Sequence, residues 1–104
     1  MKVITVCGSL KFKEIMQEEA EKLALNGYCV LTPIFPFNKN LNINMKQLDS
    51  FKKAHFKRIE LSDAIYVVNK DSYIGDSTKL EIDYANKLNK QIACYTDYMN
   101  KETK

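Results

Sequence analysis

The chain has 104 residues, a hydrophobic share of 45% and a formal net charge of +3. That length builds one compact domain around one core and leaves no room for two, and no apolar run approaches the length of a membrane span. The charge is mild, so it suits an anionic small molecule and gives no reason to expect nucleic acid.

The first residues run directly into a strand-like pattern, so no signal peptide is expected. Cys7, Cys29 and Cys94 are far apart and form no C-x-x-C pair. Such usage points to buried thiols in a reducing, cytoplasmic setting and not to disulfides or a zinc site.

Val3-Ile-Thr-Val-Cys7 is apolar at almost every position and reads as a central strand. Gly8-Ser-Leu-Lys11 turns it into a helix. Phe12, Ile15, Met16, Ala20, Leu23 and Ala24 fall on one face of that helix, and Asn26-Gly27 closes it. Tyr28-Cys-Val-Leu-Thr32 is a second strand, and a strand, helix and strand in this order imply a right-handed crossover and parallel pairing.

Pro33 to Ile43 is irregular, with Phe35 and Phe37 among prolines and asparagines. Rings placed there either wall a base pocket or fold onto the core or a partner subunit. A helix follows from about Asn44 to Leu61, with His55 packing beside Leu48 and Ile59. Its Lys46, Lys52, Lys53, Lys57 and Arg58 read as a solvated face, because no aromatic stacking platform accompanies them. Ala64 to Val68 is a third strand, Thr78 to Leu88 a third helix and Gln91 to Tyr95 a fourth strand.

The alternation predicts a small doubly wound α/β sandwich, Rossmann- or flavodoxin-like, with a four-stranded parallel sheet in the order 2-1-3-4. It spans residues 1–96 as a single domain, with a polar tail over 97–104.

Two strand-to-helix junctions attract attention, because ligands bind at the carboxyl ends of strands in such sheets. The first, Gly8-Ser-Leu-Lys11, either holds phosphate through backbone N–H groups, Ser9 and Lys11, or is a plain turn. It matches neither a P-loop nor a G-x-G-x-x-G fingerprint. The second, Gly75-Asp-Ser-Thr78, leads into Glu81. Thr78 and Glu81 have the spacing of a capping box, which is the structural alternative to a role in chemistry. His55 is the only histidine and has no second ligand at metal spacing, so no metal and no cofactor is expected.

Three stretches occur together: Val6-Cys-Gly-Ser-Leu-Lys-Phe12, Leu61-Ser-Asp-Ala-Ile-Tyr-Val-Val68, and Ile74-Gly-Asp-Ser-Thr-Lys-Leu-Glu-Ile-Asp-Tyr-Ala85 followed by Lys90-Gln-Ile. The combination resembles the nucleoside 2-deoxyribosyltransferase superfamily, which includes deoxynucleoside monophosphate N-glycosidases. The resemblance reaches from the start of the chain to Tyr95. It implies an enzyme, hydrolase or transferase, that acts on the N-glycosidic bond of a nucleoside or nucleotide through Glu81 as nucleophile. It places Gly8, Ser9 and Lys11 near the sugar or its 5′ phosphate, with Cys7, Gly75, Ser77 and Thr78 as further substrate-binding candidates.

The family pattern has an acid eight positions before Asp63, where this chain has His55. It has Asp or Ser six positions before the nucleophile, where this chain has Gly75 followed by Asp76 and Ser77. Asp76 and His55 therefore join Glu81 as catalytic candidates. The resemblance also implies a homodimer or larger homo-oligomer, with Phe35, Phe37 and Phe56 as contact candidates. A nucleotide-binding or sensing module with the same pocket and no turnover is the alternative function.

Overall fold

The computed structural model describes residues 1–38 and 40–97. Four parallel strands form one sheet, β1 (Val3–Gly8), β2 (Cys29–Leu31), β3 (Ala64–Val68) and β4 (Gln91–Cys94), in the spatial order β2-β1-β3-β4. The helices are α1 (Lys13–Leu25), α2 (Met45–Leu61) and α3 (Asp76–Lys87), with short 3-10 turns at Leu10–Phe12 and Lys70–Ser72. The architecture is thus the expected small doubly wound α/β fold. The expected polar tail, Asp97 apart, lies outside the described residues.

The order follows from burial. β1 and β3 are apolar at nearly every position and take the centre, paired from Ile4–Ala64 to Gly8–Val68. Alternate residues point to opposite faces of a strand. Ile4, Val6, Ala64, Tyr66 and Val68 pack under α1, around the fully buried Met16. Cys7, Ile65 and Val67 pack on the other face with Ile59 of α2 and Ala85 of α3.

Polar ties fix the register. Asp63 accepts from Val3 N at 2.8 Å through its carboxylate, while its own N–H donates to Val3 O at 2.8 Å. The buried Thr5 hydroxyl donates to that of Ser62, which in turn donates to the Arg58 carbonyl at 2.7 Å. This knot ties the last turn of α2 to the middle of β1. On the opposite face Tyr66 donates to Glu19 of α1 at 2.7 Å, so a buried polar pair is satisfied there too.

The helix starts differ from expectation in one instructive place. α2 begins as expected, with Asn44 and Gln47 forming a reciprocal capping box at 2.8 Å and 3.1 Å. α3 begins earlier than Thr78. Gly75, extended at ψ 170°, is its N-cap, and Asp76, Ser77 and Thr78 form its first turn. A carboxylate on Asp76 suits the positive end of the helix. Thr78 and Glu81 therefore do not form a capping box, and Glu81 lies past the first turn with its side chain free for another partner.

Gly8 ends β1 where the chain must pass close to its neighbour. A Cβ there would stand 3.1 Å from the Val68 carbonyl oxygen and 3.3 Å from Met16 Sδ, at a φ of +157°. Gly8→Ala is expected to lower unfolding stability by about 1–3 kcal/mol, the usual cost of overpacking. Urea denaturation of the two proteins checks this; an unchanged midpoint would show that β3 yields at that point without strain.

Candidate functional site

The carboxyl end of β1 and the start of α3 open onto a cavity of about 470 Å³. That is within the range that holds a small metabolite. Four segments line it. Gly8 and Ser9 come from the end of β1, where the Ser9 hydroxyl accepts from Lys11 N and caps the short 3-10 turn. Gly75, Asp76, Ser77, Thr78 and Glu81 come from the start of α3. Leu48, Phe51, Lys52, His55 and Arg58 come from α2, where intervals of three and four residues stack them along one side of the helix. Pro33, Ile34, Pro36, Leu41 and Ile43 of the β2–α2 connection close the apolar side.

The chemistry gathers on the floor. His55 is buried, and its Nε2 stands 3.4 Å from Cys7 Sγ and 3.4 Å from Glu81 Oε1. On the other side of the ring, Nδ1 stands 3.2 Å from Arg58 Nη1. The Glu81 side chain is 16% exposed, so it is mostly withdrawn from water yet reachable from the cavity. Ligand atoms of Cys7, His55 and Glu81 lie within 4.8 Å of one another, a thiol, imidazole and carboxylate set of the kind that zinc takes. Burial pushes the Cys7 thiol well above its ordinary ionisation range, and the charge and hydrogen bonding of Glu81 push it the same way. At neutral pH the sulfur is therefore a protonated thiol and not the thiolate that a metal or a nucleophilic mechanism requires.

The structure brings together Gly8, Ser9, His55, Gly75, Asp76, Ser77, Thr78 and Glu81 on the cavity wall, with Cys7 directly behind His55. It does not bring Lys11 there. The Lys11 ammonium sits 3.6 Å from the centroid of the Tyr73 ring and 5.4 Å from that of Phe12, outside the cavity lining. Tyr73 is presented to it by a turn in which Asp71 and Ser72 both adopt left-handed backbone, at φ 56° and 62°.

The face of α2 that reads as solvated is divided in two. Lys53 pairs with Asp49 at 3.1 Å and Lys57 with Glu60 at 3.7 Å, both near solvent. Lys52 and Arg58 line the cavity instead. The signal for Arg58 was its position three residues after His55, which places both side chains on one side of the helix. The loop residues carried no such signal, since an irregular segment has no period to read. Of its rings, Phe35 packs on the α1 side of the core while Phe37 is fully exposed. Phe56 packs edge-on against Tyr84, with centroids 4.9 Å apart.

No protein-family model and no curated protein matches the sequence of this chain.

The raised ionisation of Cys7 has a definite sign in stability. The folded protein holds that proton more tightly than the unfolded chain does. The contribution is complete below the ordinary thiol value of 9.0 and is lost as pH rises from there toward the folded-state value. Wild type should therefore lose up to about 1.4 kcal/mol per pH unit above that point relative to Cys7→Ser, whose hydroxyl does not ionise. Tyr84 and Cys94, pushed up by the Glu60 hydrogen bond and by burial respectively, are common to both proteins and cancel. Melting temperatures of the pair across the alkaline range check this, and parallel curves would contradict it.

Proposed function

We propose that this protein cleaves or transfers the N-glycosidic bond of a nucleoside or nucleotide, with Glu81 as the nucleophile. One observation carries the reading. A withdrawn but reachable carboxylate stands at a cavity with one apolar and one polar side. The apolar side, formed by the β2–α2 connection with Leu48 and Phe51, suits the flat faces of a base. The polar side, formed by Gly8, Ser9, Asp76 and Ser77, suits a sugar. The resemblance in sequence points to the same chemistry.

In the first step an oxygen of Glu81 bonds to the anomeric carbon while the carbon–nitrogen bond breaks. The electron pair departs on the base nitrogen, and the base takes a proton from a donor in the cavity. A water held by the Asp76 carboxylate on the cavity wall is the donor assigned here. A carboxylate against the anomeric carbon answers the positive charge that builds there, as in retaining glycosidases. Water or the nitrogen of a second base then attacks the same carbon, gives up a proton and releases Glu81. Among the described residues Lys52 is the lysine that lines the cavity, and it is the cation we assign to an anionic substituent of the substrate.

The second reading is a binding or sensing module without turnover. It is favoured by the partners of Glu81, which are an imidazole and a thiol where the family pattern has a further acid. We also assign a homodimer. Of the three rings considered for its contacts, Phe35 and Phe56 pack onto the protein's own core and Phe37 alone projects fully into solvent. Light scattering at tens of micromolar should give twice the chain mass for wild type and a lower mass for Phe37→Ser. A wild-type monomer there would end the dimer assignment.

Glu81→Gln separates the two functional readings. Glu81 makes no capping contact and the glutamine oxygen can still accept from His55, so melting temperature should change little. Free-base release from a panel of nucleosides and nucleotides should fall by orders of magnitude. Turnover that survives the substitution removes Glu81 as nucleophile. A wild type that raises its melting temperature with a nucleotide but releases no base is the binding module.

A further inference from the structure

We propose that Arg58 is a positioning residue that fixes His55 as the Nε2–H tautomer, so that the ring faces Glu81 as a hydrogen-bond donor. A guanidinium has only donors, and Arg58 Nη1 stands 3.2 Å from His55 Nδ1. Nδ1 must therefore present its lone pair. The one hydrogen of a neutral imidazole then lies on Nε2, which stands 3.4 Å from the Glu81 oxygen and 3.4 Å from the Cys7 sulfur. An ionised carboxylate only accepts, so both joints of the chain Arg58–His55–Glu81 are matched. The opposite tautomer would set N–H against N–H at Arg58 and lone pair against carboxylate at Glu81. Cys7 faces the ring from β1 as a neutral thiol, and Asp76 and Lys52 share its cavity.

The anchor is itself fixed. The Arg58 carbonyl accepts from the Ser62 hydroxyl, which itself accepts from Thr5, so the backbone that carries the guanidinium is tied to β1. Two consequences follow. The first rests on the glycosyl-transfer reading: a donor on one oxygen orients the Glu81 carboxylate and leaves the other oxygen to attack. The second is independent of that reading. Zinc could take Nε2 only after that hydrogen moved, and Arg58 leaves it no place on Nδ1, so Arg58 weakens Cys7, His55 and Glu81 as a zinc site although their atoms lie within 4.8 Å of one another.

The chain has one histidine, so a two-bond proton–nitrogen NMR spectrum contains one imidazole ring. At about pH 8.5, where imidazole is ordinarily neutral, wild type should show Nδ1 as the unprotonated nitrogen and Nε2 as the protonated one. Glu81→Gln should show the same, because Arg58 alone still dictates the tautomer. Adding Arg58→Met to Glu81→Gln should draw the two nitrogen signals toward each other as the tautomers mix. Calorimetric titration with zinc chloride should show tighter binding to Arg58→Met than to wild type, by about 10-fold or more, the usual scale for an outer partner of a metal ligand. A protonated Nδ1 in wild type or in Glu81→Gln overturns the proposal. So does a double variant whose signals stay at the Glu81→Gln positions, or equal zinc affinity in the two proteins. The wild-type spectrum decides even where a variant fails to fold, and neither readout depends on turnover.

Discussion

β1 and β3 lie side by side in parallel, in register from Ile4–Ala64 to Gly8–Val68. Everything at the site depends on that pairing. Because the two strands run the same way, both end at one edge of the sheet, and the chain leaving each must turn away there. One exit leads through Gly8 and Ser9 toward α1. The other leads through a left-handed turn to the start of α3. The gap between the exits is the cavity. The close approach of Gly8 to the Val68 carbonyl keeps the two strand ends together. A bulkier residue would push them apart just where they define the floor.

The same pairing decides which polar groups meet. Cys7 is the last inward residue of β1 on the α2–α3 side, so its thiol reaches His55 on α2, whose Nε2 also approaches Glu81 on α3. Three elements remote in sequence thus contribute one group each to a small buried cluster. Such a cluster is tolerable inside a protein only if its donors and acceptors match. Here they match because Arg58 supplies a donor where the imidazole needs one and burial keeps the thiol neutral. Glu81 is then the one formal negative charge on the cluster, and it faces the cavity.

Much of this was legible in the sequence. The strands announce themselves by near-continuous apolar runs, and parallel order follows from strands alternating with helices. The junction after β3 could be singled out because a Gly, an Asp and two hydroxyls stand between an apolar strand and a helical pattern. Helix onset was less legible. Thr78-Lys-Leu-Glu81 has the spacing of a capping box, yet Gly75 caps α3 with extended backbone alone, and a glycine gives no side-chain signal. Lys11 stands next to the phosphate-like turn in sequence, but two aromatic rings draw its ammonium elsewhere. Arg58 looked like one basic residue among several. Its place three residues after His55 puts it on that side of α2, but that this side faces a cavity is set by β1 and α3, which a reading along one helix does not contain.

The two sides of the cavity are built from different material. The floor belongs to β1, α2 and α3, locked by the core and by the Thr5–Ser62–Arg58 knot. The apolar wall belongs to the connection between β2 and α2, whose described residues form no helix or strand. A segment of that kind accepts substitution far more readily than a packed strand does. Evolution can therefore vary the wall without disturbing the carboxylate beneath it. A lineage of such proteins would be free to change which molecule it admits while inheriting one unaltered way of holding it.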